Sequence, residues 1–197
     1  MILGCLLVGE SLGSRTTGIV VEAEAYLGIA DRACHAFGGR KTPRLRALWS
    51  GPGLAYTYAM HQQWLLNITA QQESIPECVL VRALWPLDGL GVMASRRGVA
   101  WDDQARLLPA RLGTLTSGPG RLCKALCIDK AQYGWDLLDP GSLLRLEVAT
   151  DEQLAEAGIR EGTRICSGPR VGVAAAGPDA LRPLRFWFEG NPLVSRH

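Results

Sequence analysis

Glu24 and Tyr26 are the first residues whose types and spacing point to chemistry. The run TTGIVVEAEAYLG, residues 16–28, is rich in β-branched side chains and ends at a glycine, which predicts a strand. Side chains alternate between the faces of a strand, so Val20, Glu22, Glu24 and Tyr26 share one face. A carboxylate beside an aromatic ring could act as a general base next to a stacking surface. Taken alone, however, the segment is better explained by a solvated strand face.

Three later strand-like segments add tyrosines, an asparagine and an arginine. LAYTYAM (54–60) contains Tyr58, and WLLNITA (64–70) contains Asn67. Tyrosines on a strand can stack on bases, although they are also common core residues. In CVLVRAL, Arg82 interrupts an apolar strand, where an unpaired charge would be unfavourable. Arg82 therefore needs a partner, and the pattern fits a structural partner as well as a functional one.

Basic residues concentrate in the loop GGRKTPRLRALWSGPG, which contains Arg40, Lys41, Arg44 and Arg46. The loop lies between the Glu24 strand and the tyrosine strand, and glycine and proline punctuate it. Such a loop could bind phosphates, or it could simply be solvated. Its position makes the two interpretations about equal.

The cysteines and histidines do not form a recognisable metal motif. The six cysteines are Cys5, Cys34, Cys78, Cys123, Cys127 and Cys166. No CxxC pair occurs, and the spacing of Cys123 and Cys127 is that of one helix face. Buried, reduced thiols explain these residues best. We therefore predict no metal and no cofactor.

The elements that must position these residues predict an α+β fold. LLNITA and CVLVRAL, with a polar segment between them, indicate a hairpin. Two more strand-like runs, 143–149 and 184–190, and three helical patterns, 87–98, 101–113 and 117–130, follow. There is no regular βαβ alternation. We expect one domain over 1–197, with a curved, mostly antiparallel sheet and packed helices.

Composition excludes several classes of protein. With 197 residues, 47% of them hydrophobic and 20% charged, the chain is long enough to form a core without disulfide or metal staples. No apolar run has the length of a membrane helix, and the N-terminus does not look like a secretory signal. We expect a soluble, cytoplasmic protein, associated with the nucleoid if it is bacterial. The net charge of +2 is compatible with a nucleic-acid partner but too small to indicate one.

A collinear series of motifs resembles one known family. The series runs through VEAEAYLG, ACHAFGGRKTPRLR, GPGLAYTY, LLNITA, VLVRALWPLDG, SGPGRLCKAL, RVGVA and PLRFWFEGNPLVS. It resembles the alkyladenine (3-methyladenine) DNA glycosylases, the monofunctional human-type enzymes also found in bacteria. The resemblance implies a monomeric base excision repair enzyme that flips alkylated or deaminated purines from double-stranded DNA. It also implies hydrolysis of the N-glycosidic bond without lyase activity, and a fold similar to the formyltransferase C-terminal domain.

The resemblance assigns catalytic residues by position. It implies that Glu24 is the general base that activates water, that Arg82 helps to hold that water, and that the backbone between Val171 and Val173 borders the water site. This family flips the substrate base into a pocket before the bond is broken. The substrate class includes 3-methyladenine, 7-methylguanine, hypoxanthine and ethenoadenine.

The resemblance also assigns the residues that would hold the base. Tyr26, His35 and Tyr58 fall where the family stacks rings on the flipped base. Asn67 falls where an asparagine crowds the 2-amino group of normal guanine. A ring cage of this kind would favour a cationic alkylated purine through stacking and cation–π attraction.

Contacts to DNA are predicted at five positions, and the sequence departs from the family pattern near two of them. The phosphate-binding candidates are Arg40, Thr42 and Arg44. The family's wedge segment, of the form YxxYGM, reads YAMHQQW here and looks one residue shorter, so the wedge would be Met60 or His61. The helix that precedes the first matched segment in the family is also expected to be missing. The alternative function is a non-catalytic nucleic-acid or lesion-binding module.

Overall fold

The computed structural model describes residues 2–102 and 108–195. Its strands are β1 (Leu6–Ser11), β2 (Ser14–Tyr26), β3 (Ala55–Met60), β4 (Gln63–Thr69), β5 (Cys78–Pro86), β6 (Leu144–Glu147), β7 (Ile165–Gly168) and β8 (Arg185–Phe188). Its helices are α1 (Leu90–Arg97), α2 (Pro109–Thr116), α3 (Pro119–Leu126) and α4 (Asp151–Glu156). Over these ranges no helix is both long and apolar enough to cross a membrane.

The strands form one curled antiparallel sheet, in the order β3-β4-β5-β2-β1-β6, with β8 on β2 and β7 on β8. The long strand β2 organises this sheet. It pairs with β5 along one edge, and along its other edge with β1 and then β8. The α+β prediction, with a curved and mostly antiparallel sheet, is therefore confirmed.

Strand β2 is not solvated on either face, so the simplest interpretation of its sequence was wrong. Residues 16–24 of β2 are all buried, including Glu22 and Glu24. The physical reason is that both faces are covered. Val21 and Ala23 belong to the main apolar cluster, and the chain at Val171 and Ser195 bonds to Glu24 and Glu22. The register with β5 shifts around Glu22, which marks a bulge there.

Two clusters of apolar side chains make the core. The larger one includes β1, β2, β5 and helices α1 to α3. A smaller one, formed by Cys34, Ala36, Leu45, Leu48, Tyr56 and their neighbours, lies under the loop of residues 28–49. The smaller cluster fixes this loop against β3, and the loop contains His35.

Most predicted elements are present with shifted ends. The expected β4–β5 hairpin pairs Asn67–Thr69 with Cys78–Leu80. The helix predicted over 101–113 is represented by α2, whereas residues 103–107 lie outside the described residues. Three elements had no prediction: β1, β7 and α4. They are short, and strands or helices of four to six residues leave little periodicity to detect.

Candidate active site

A cavity of about 160 Å³ lies against β2 to β5, and several predicted site residues line it. The predicted residues in its lining are Tyr26, His35, Tyr58, Met60, Asn67, Arg82, Val171 and Val173. They come from four strands and two loops that are far apart in the sequence. The sheet order brings them together because β4 and β5 lie between the tyrosine strand β3 and β2.

The carboxylate of Glu24 lies behind this lining and is 0% exposed. Its Oε2 accepts a hydrogen bond from the Tyr26 hydroxyl at 2.9 Å. Its Oε1 accepts one from the Val171 amide at 2.7 Å and lies 3.1 Å from Nη1 of Arg82. Burying a carboxylate is unfavourable unless donors replace its hydration. The three donors do so, and all three residues line the cavity.

Tyr26 connects the carboxylate to the wall of the cavity. Burial, followed by the nearby Glu24 carboxylate, raises the pKa of Tyr26 far above its usual value. The hydroxyl therefore remains a donor at any physiological pH. The guanidinium of Arg170 lies over the ring at 4.8 Å from its centroid, which fixes the orientation of the ring.

Three further rings, those of His35, Tyr56 and Tyr58, also line the cavity. The centroids of His35 and Tyr58 lie 4.6 Å apart in an edge arrangement. Nδ1 of His35 and the hydroxyl of Tyr56 share a hydrogen bond of 2.6 Å. Partial burial, and then the charge of Arg40, lower the pKa of His35 below its usual value. His35 is therefore neutral at pH 7, and it adds no positive charge to a site that would accept a cationic base.

Asn67 is held in one orientation at the base of the cavity. The side chain is buried, and its Nδ2 donates to the backbone oxygen of Tyr56 at 3.3 Å. The thiol of Cys78 donates to its Oδ1 at 3.8 Å. Tyr56 and Cys78 were not predicted as site residues. Tyr56 shares a strand face with Tyr58 by alternation, so the same alternation could have predicted it as a site residue.

Arg82 has the partners that the sequence predicts it to need, and three side chains contact it. Its Nε donates to Glu22 at 2.8 Å and its Nη2 to the hydroxyl of Ser195 at 2.9 Å. The third nitrogen of the same guanidinium, Nη1, contacts Glu24. Glu22, in turn, accepts from Arg185 at 2.7 Å and from the amide of Ser195 at 2.6 Å. Arg82 therefore joins a buried ionic network to the Glu24 carboxylate.

A second buried ion pair lies beside the cavity and had no prediction. The side chains of Asp31 and Arg170 are both 0% exposed, and they form a two-point contact. Neither residue stands out by local spacing, because the two are separated by 139 positions. The sequence did hold one signal for Arg170. It stands among small and apolar residues in PRVGV, as Arg82 stands among apolar residues in its strand.

The two predicted wedge residues, Met60 and His61, line a groove that adjoins the cavity. Met60 is 47% exposed and lines both the cavity and an adjoining groove of about 1010 Å³. His61 and Gln62 form the turn between β3 and β4, with φ of 48° and 62°. Two consecutive positive φ values define a type I′ turn, which favours glycine or asparagine. Strained backbone of this kind is often found at functional sites.

The basic loop is exposed and lies outside the cavity lining. Arg40, Thr42 and Arg44 are all exposed. The hydroxyl of Tyr133 donates to the backbone oxygen of Arg44 and accepts from the amide of Ala47, which ties the loop to the body of the protein. Within the described part of the chain, no group of three or more His, Cys, Asp or Glu could hold a metal ion.

A sheet-based cavity with a buried carboxylate and a wall of rings fits an enzyme that acts on a flat base, and comparison with known proteins gives its class. Residues 1–192 match the family model described as methylpurine-DNA glycosylase. The chain therefore belongs to the methylpurine-DNA glycosylase family. It is a DNA glycosylase of DNA repair, a hydrolase of N-glycosyl bonds.

Curated bacterial proteins are similar over nearly the whole chain. A protein of Clostridium acetobutylicum is 40% identical over 195 residues, which cover 98% of this chain and 89% of that protein. A protein of Oceanobacillus iheyensis is 37% identical, with 99% of this chain and 87% of that protein covered. A protein of Bacillus subtilis is 37% identical, with coverages of 99% and 88%. All three carry the provisional name 3-methyladenine DNA glycosylase.

Proposed function

We propose that this DNA glycosylase flips an alkylated or deaminated purine into the cavity and hydrolyses its N-glycosidic bond with water activated by Glu24. One observation carries the proposal. The Glu24 carboxylate is fully buried, yet each of its three partners, Tyr26, Val171 and Arg82, lines the cavity with the ring wall. A base in this cavity would bring the anomeric carbon of the attached sugar near the carboxylate.

The proposed reaction uses these residues and water. A cationic methylpurine leaves as the neutral base, whereas hypoxanthine or ethenoadenine leaves as an anion that takes its proton from solvent water. The water oxygen bonds to the anomeric carbon, and the bond from that carbon to the purine nitrogen breaks, with its electron pair leaving on the base. Glu24 takes the proton of the water and stabilises the positive charge that develops on the sugar. Arg82 helps to hold the water and orients the carboxylate. The products are a free base and an abasic site, and no strand is cleaved.

Selection of the base would follow from the walls of the cavity. Tyr26, His35 and Tyr58 would stack on it, and neutral His35 lets the rings attract a cationic methylpurine. Asn67, held by Tyr56 and Cys78, would crowd the 2-amino group of a normal guanine. Damaged bases also unstack more easily, which favours their entry. The proposed substrates are 3-methyladenine, 7-methylguanine, hypoxanthine and ethenoadenine.

The duplex would be held at the mouth of the cavity. Exposed Arg40, Thr42 and Arg44 would contact phosphates, and Met60 or His61 at the strained turn would fill the space left by the flipped nucleotide. The cavity and its mouth are built from one chain, so we propose that a monomer acts on double-stranded DNA.

Glu24→Gln tests the mechanism. The amide keeps the size of the side chain but is a very weak base, so release of the base should fall by about 10²–10⁴-fold. Single-turnover excision from duplexes with 7-methylguanine, hypoxanthine or ethenoadenine measures this, with alkaline cleavage of the abasic sites. Affinity for the lesion duplex should change little. Glu73→Gln, at an exposed carboxylate of the β4–β5 loop, is the matched control and should keep the wild-type rate.

Two results would contradict the proposal. If Glu24→Gln releases base at the wild-type rate, the carboxylate is not the base. If the wild-type chain binds lesion duplexes but releases no base, the chain is the non-catalytic binding module that forms the alternative.

His61→Ala tests the wedge. Hypoxanthine is neutral and gains no cation–π attraction. Its binding in the cavity should therefore depend more strongly than the binding of a cationic methylpurine on a side chain that fills the space left in the duplex. We expect excision of hypoxanthine to fall by about tenfold, equivalent to about 1.4 kcal/mol, and excision of 7-methylguanine to fall less. Gln62→Ala changes the adjacent turn residue and serves as the control. Equal losses on both substrates would exclude this role for His61.

A further inference from the structure

We infer that Asp31 and Arg170 form a positioning clamp that joins the His35 loop to the Val171 loop and so aims the groups that hold Glu24. This inference rests on the proposed function. Neither residue lines the cavity, and both side chains are completely buried, so they would act through their neighbours rather than on the substrate.

Asp31 organises the loop that leads to His35. Its Oδ2 accepts from the amide of Leu27 at 3.0 Å, and its Oδ1 accepts from the amide of Ala33 at 3.0 Å. Its backbone oxygen accepts from the amide of Cys34 at 2.9 Å. Asp31 thus fixes the chain between the end of β2 and the histidine of the ring wall.

Arg170 uses its guanidinium to join three parts of the protein. Nη2 donates to Asp31 at 2.8 Å and to the backbone oxygen of Asp179 at 3.1 Å. Nη1 donates to Asp31 and, at 2.9 Å, to the backbone oxygen of Ala25 on β2. The same guanidinium lies over the ring of Tyr26. Its planar fork makes these contacts together, and a lysine ammonium has no such geometry.

Arg170 acts on Glu24 through two neighbours, Val171 and Tyr26. Residue 170 is followed directly by Val171, whose amide donates to Oε1 of Glu24 at 2.7 Å. Tyr26, held under the guanidinium, donates to Oε2. Two of the three donors on the carboxylate therefore depend on where Arg170 lies. Displacement of either donor would turn the carboxylate away from its productive orientation.

Arg170→Lys tests the clamp, because it keeps the positive charge beside Asp31 and removes the fork. We expect single-turnover excision to fall by about tenfold to a hundredfold, the scale of a small misplacement of catalytic groups. The acid limb of the pH–rate profile should also move to higher pH, because the ionised carboxylate has lost a well-placed donor. Arg145→Lys is the matched control, since Arg145 also binds carboxylates through its fork, those of Glu10 and Glu147, but lies on β6 at the opposite edge of the sheet from β3.

An amide NMR measurement separates the clamp from the proposed function. The Val171 amide resonance should shift in Arg170→Lys and in Glu24→Gln, and should stay in place in Arg145→Lys. This readout needs no activity, so it remains valid if the wild-type chain excises none of the lesions. Asp31→Asn removes the other half of the pair and should shift the same resonance, which covers the case in which Arg170→Lys does not fold.

The clamp is overturned if the Val171 resonance is unchanged in the Arg170→Lys and Asp31→Asn proteins. It is also overturned if Arg170→Lys excises bases within about twofold of wild type with an unshifted pH–rate profile, because a misplaced catalytic group costs more than that. A loss of thermal stability alone, with the rate and the profile retained, would show a purely structural ion pair and would likewise reject the clamp.

Discussion

Glu22 and Glu24 lie two residues apart on β2, and both are 0% exposed. Both also contact Arg82. Their other partners differ. Glu22 is surrounded by Arg185 and by the amide and hydroxyl of Ser195, a residue that lines the adjoining groove and not the cavity. Glu24 is held instead by Tyr26 and Val171, which face the cavity.

This comparison shows that burial and residue type do not distinguish a structural carboxylate from a candidate base. Four hydrogen bonds from Arg82, Arg185 and Ser195 occupy both oxygens of Glu22, and of these three residues only Arg82 lines the cavity with the rings. The partners of Glu24 are themselves the boundary of a space that a ligand could enter. What separates the two carboxylates is therefore the space that their own donors border: Tyr26 and Val171 line the cavity with the rings, whereas Ser195 lines the adjoining groove.

Among the variants that test this comparison, Glu22→Gln should lose the most stability. Removing one partner of a buried ionic network leaves charges without compensation, here on Arg82 and Arg185, which costs about 3–5 kcal/mol. We expect the free energy of unfolding, measured by urea denaturation, to fall by about this amount. Glu24→Gln should lose much less stability and far more activity.

The two variants should thus show opposite losses when stability and single-turnover excision are measured side by side. If Glu22→Gln keeps its stability while it loses excision as completely as Glu24→Gln, the division between the two carboxylates is wrong. Both residues would then belong to one catalytic unit joined by Arg82.

Asp31 offers a smaller effect that sharpens the comparison, because it is a third buried carboxylate with a pH-dependent signature. Burial alone would raise its pKa, but hydrogen bonds from Arg170 and from the Leu27 and Ala33 amides hold the pKa below its usual value. The folded state therefore binds the proton less readily than the unfolded chain. The stability contributed by Asp31 is present above pH about 4 and is lost as the pH falls through the folded pKa.

Asp31→Asn measures that contribution directly. At pH 7 the variant should unfold with about 1.5–3 kcal/mol less free energy than wild type, since it loses hydrogen bonds to a charged group. The difference should narrow below pH about 4, where the unfolded wild-type chain takes up a proton at Asp31 before the folded protein does. Urea denaturation from pH 3 to 7 gives both curves. A difference that stays constant with pH would exclude the charged pair as its cause.

The sequence by itself determined the strand pattern and about half of the residues that line the cavity. Alternation along β3 and β4 placed Tyr58 and Asn67 on the faces that line it. The period of two survives because each segment is a strand in the finished sheet. The collinear motifs carried the family assignment, which the comparisons confirm.

Tertiary structure decided what alternation could not, namely which contacts form across the sheet and between loops. The burial of β2 on both faces follows from distant segments that pack over it, at Val171 and Ser195 among others, which local sequence does not encode. The pairs Asp31–Arg170 and Glu22–Arg185 join residues 139 and 163 positions apart. Such partners are selected only when the whole chain is packed, because a buried charge takes whichever opposite charge the fold brings within hydrogen-bond distance.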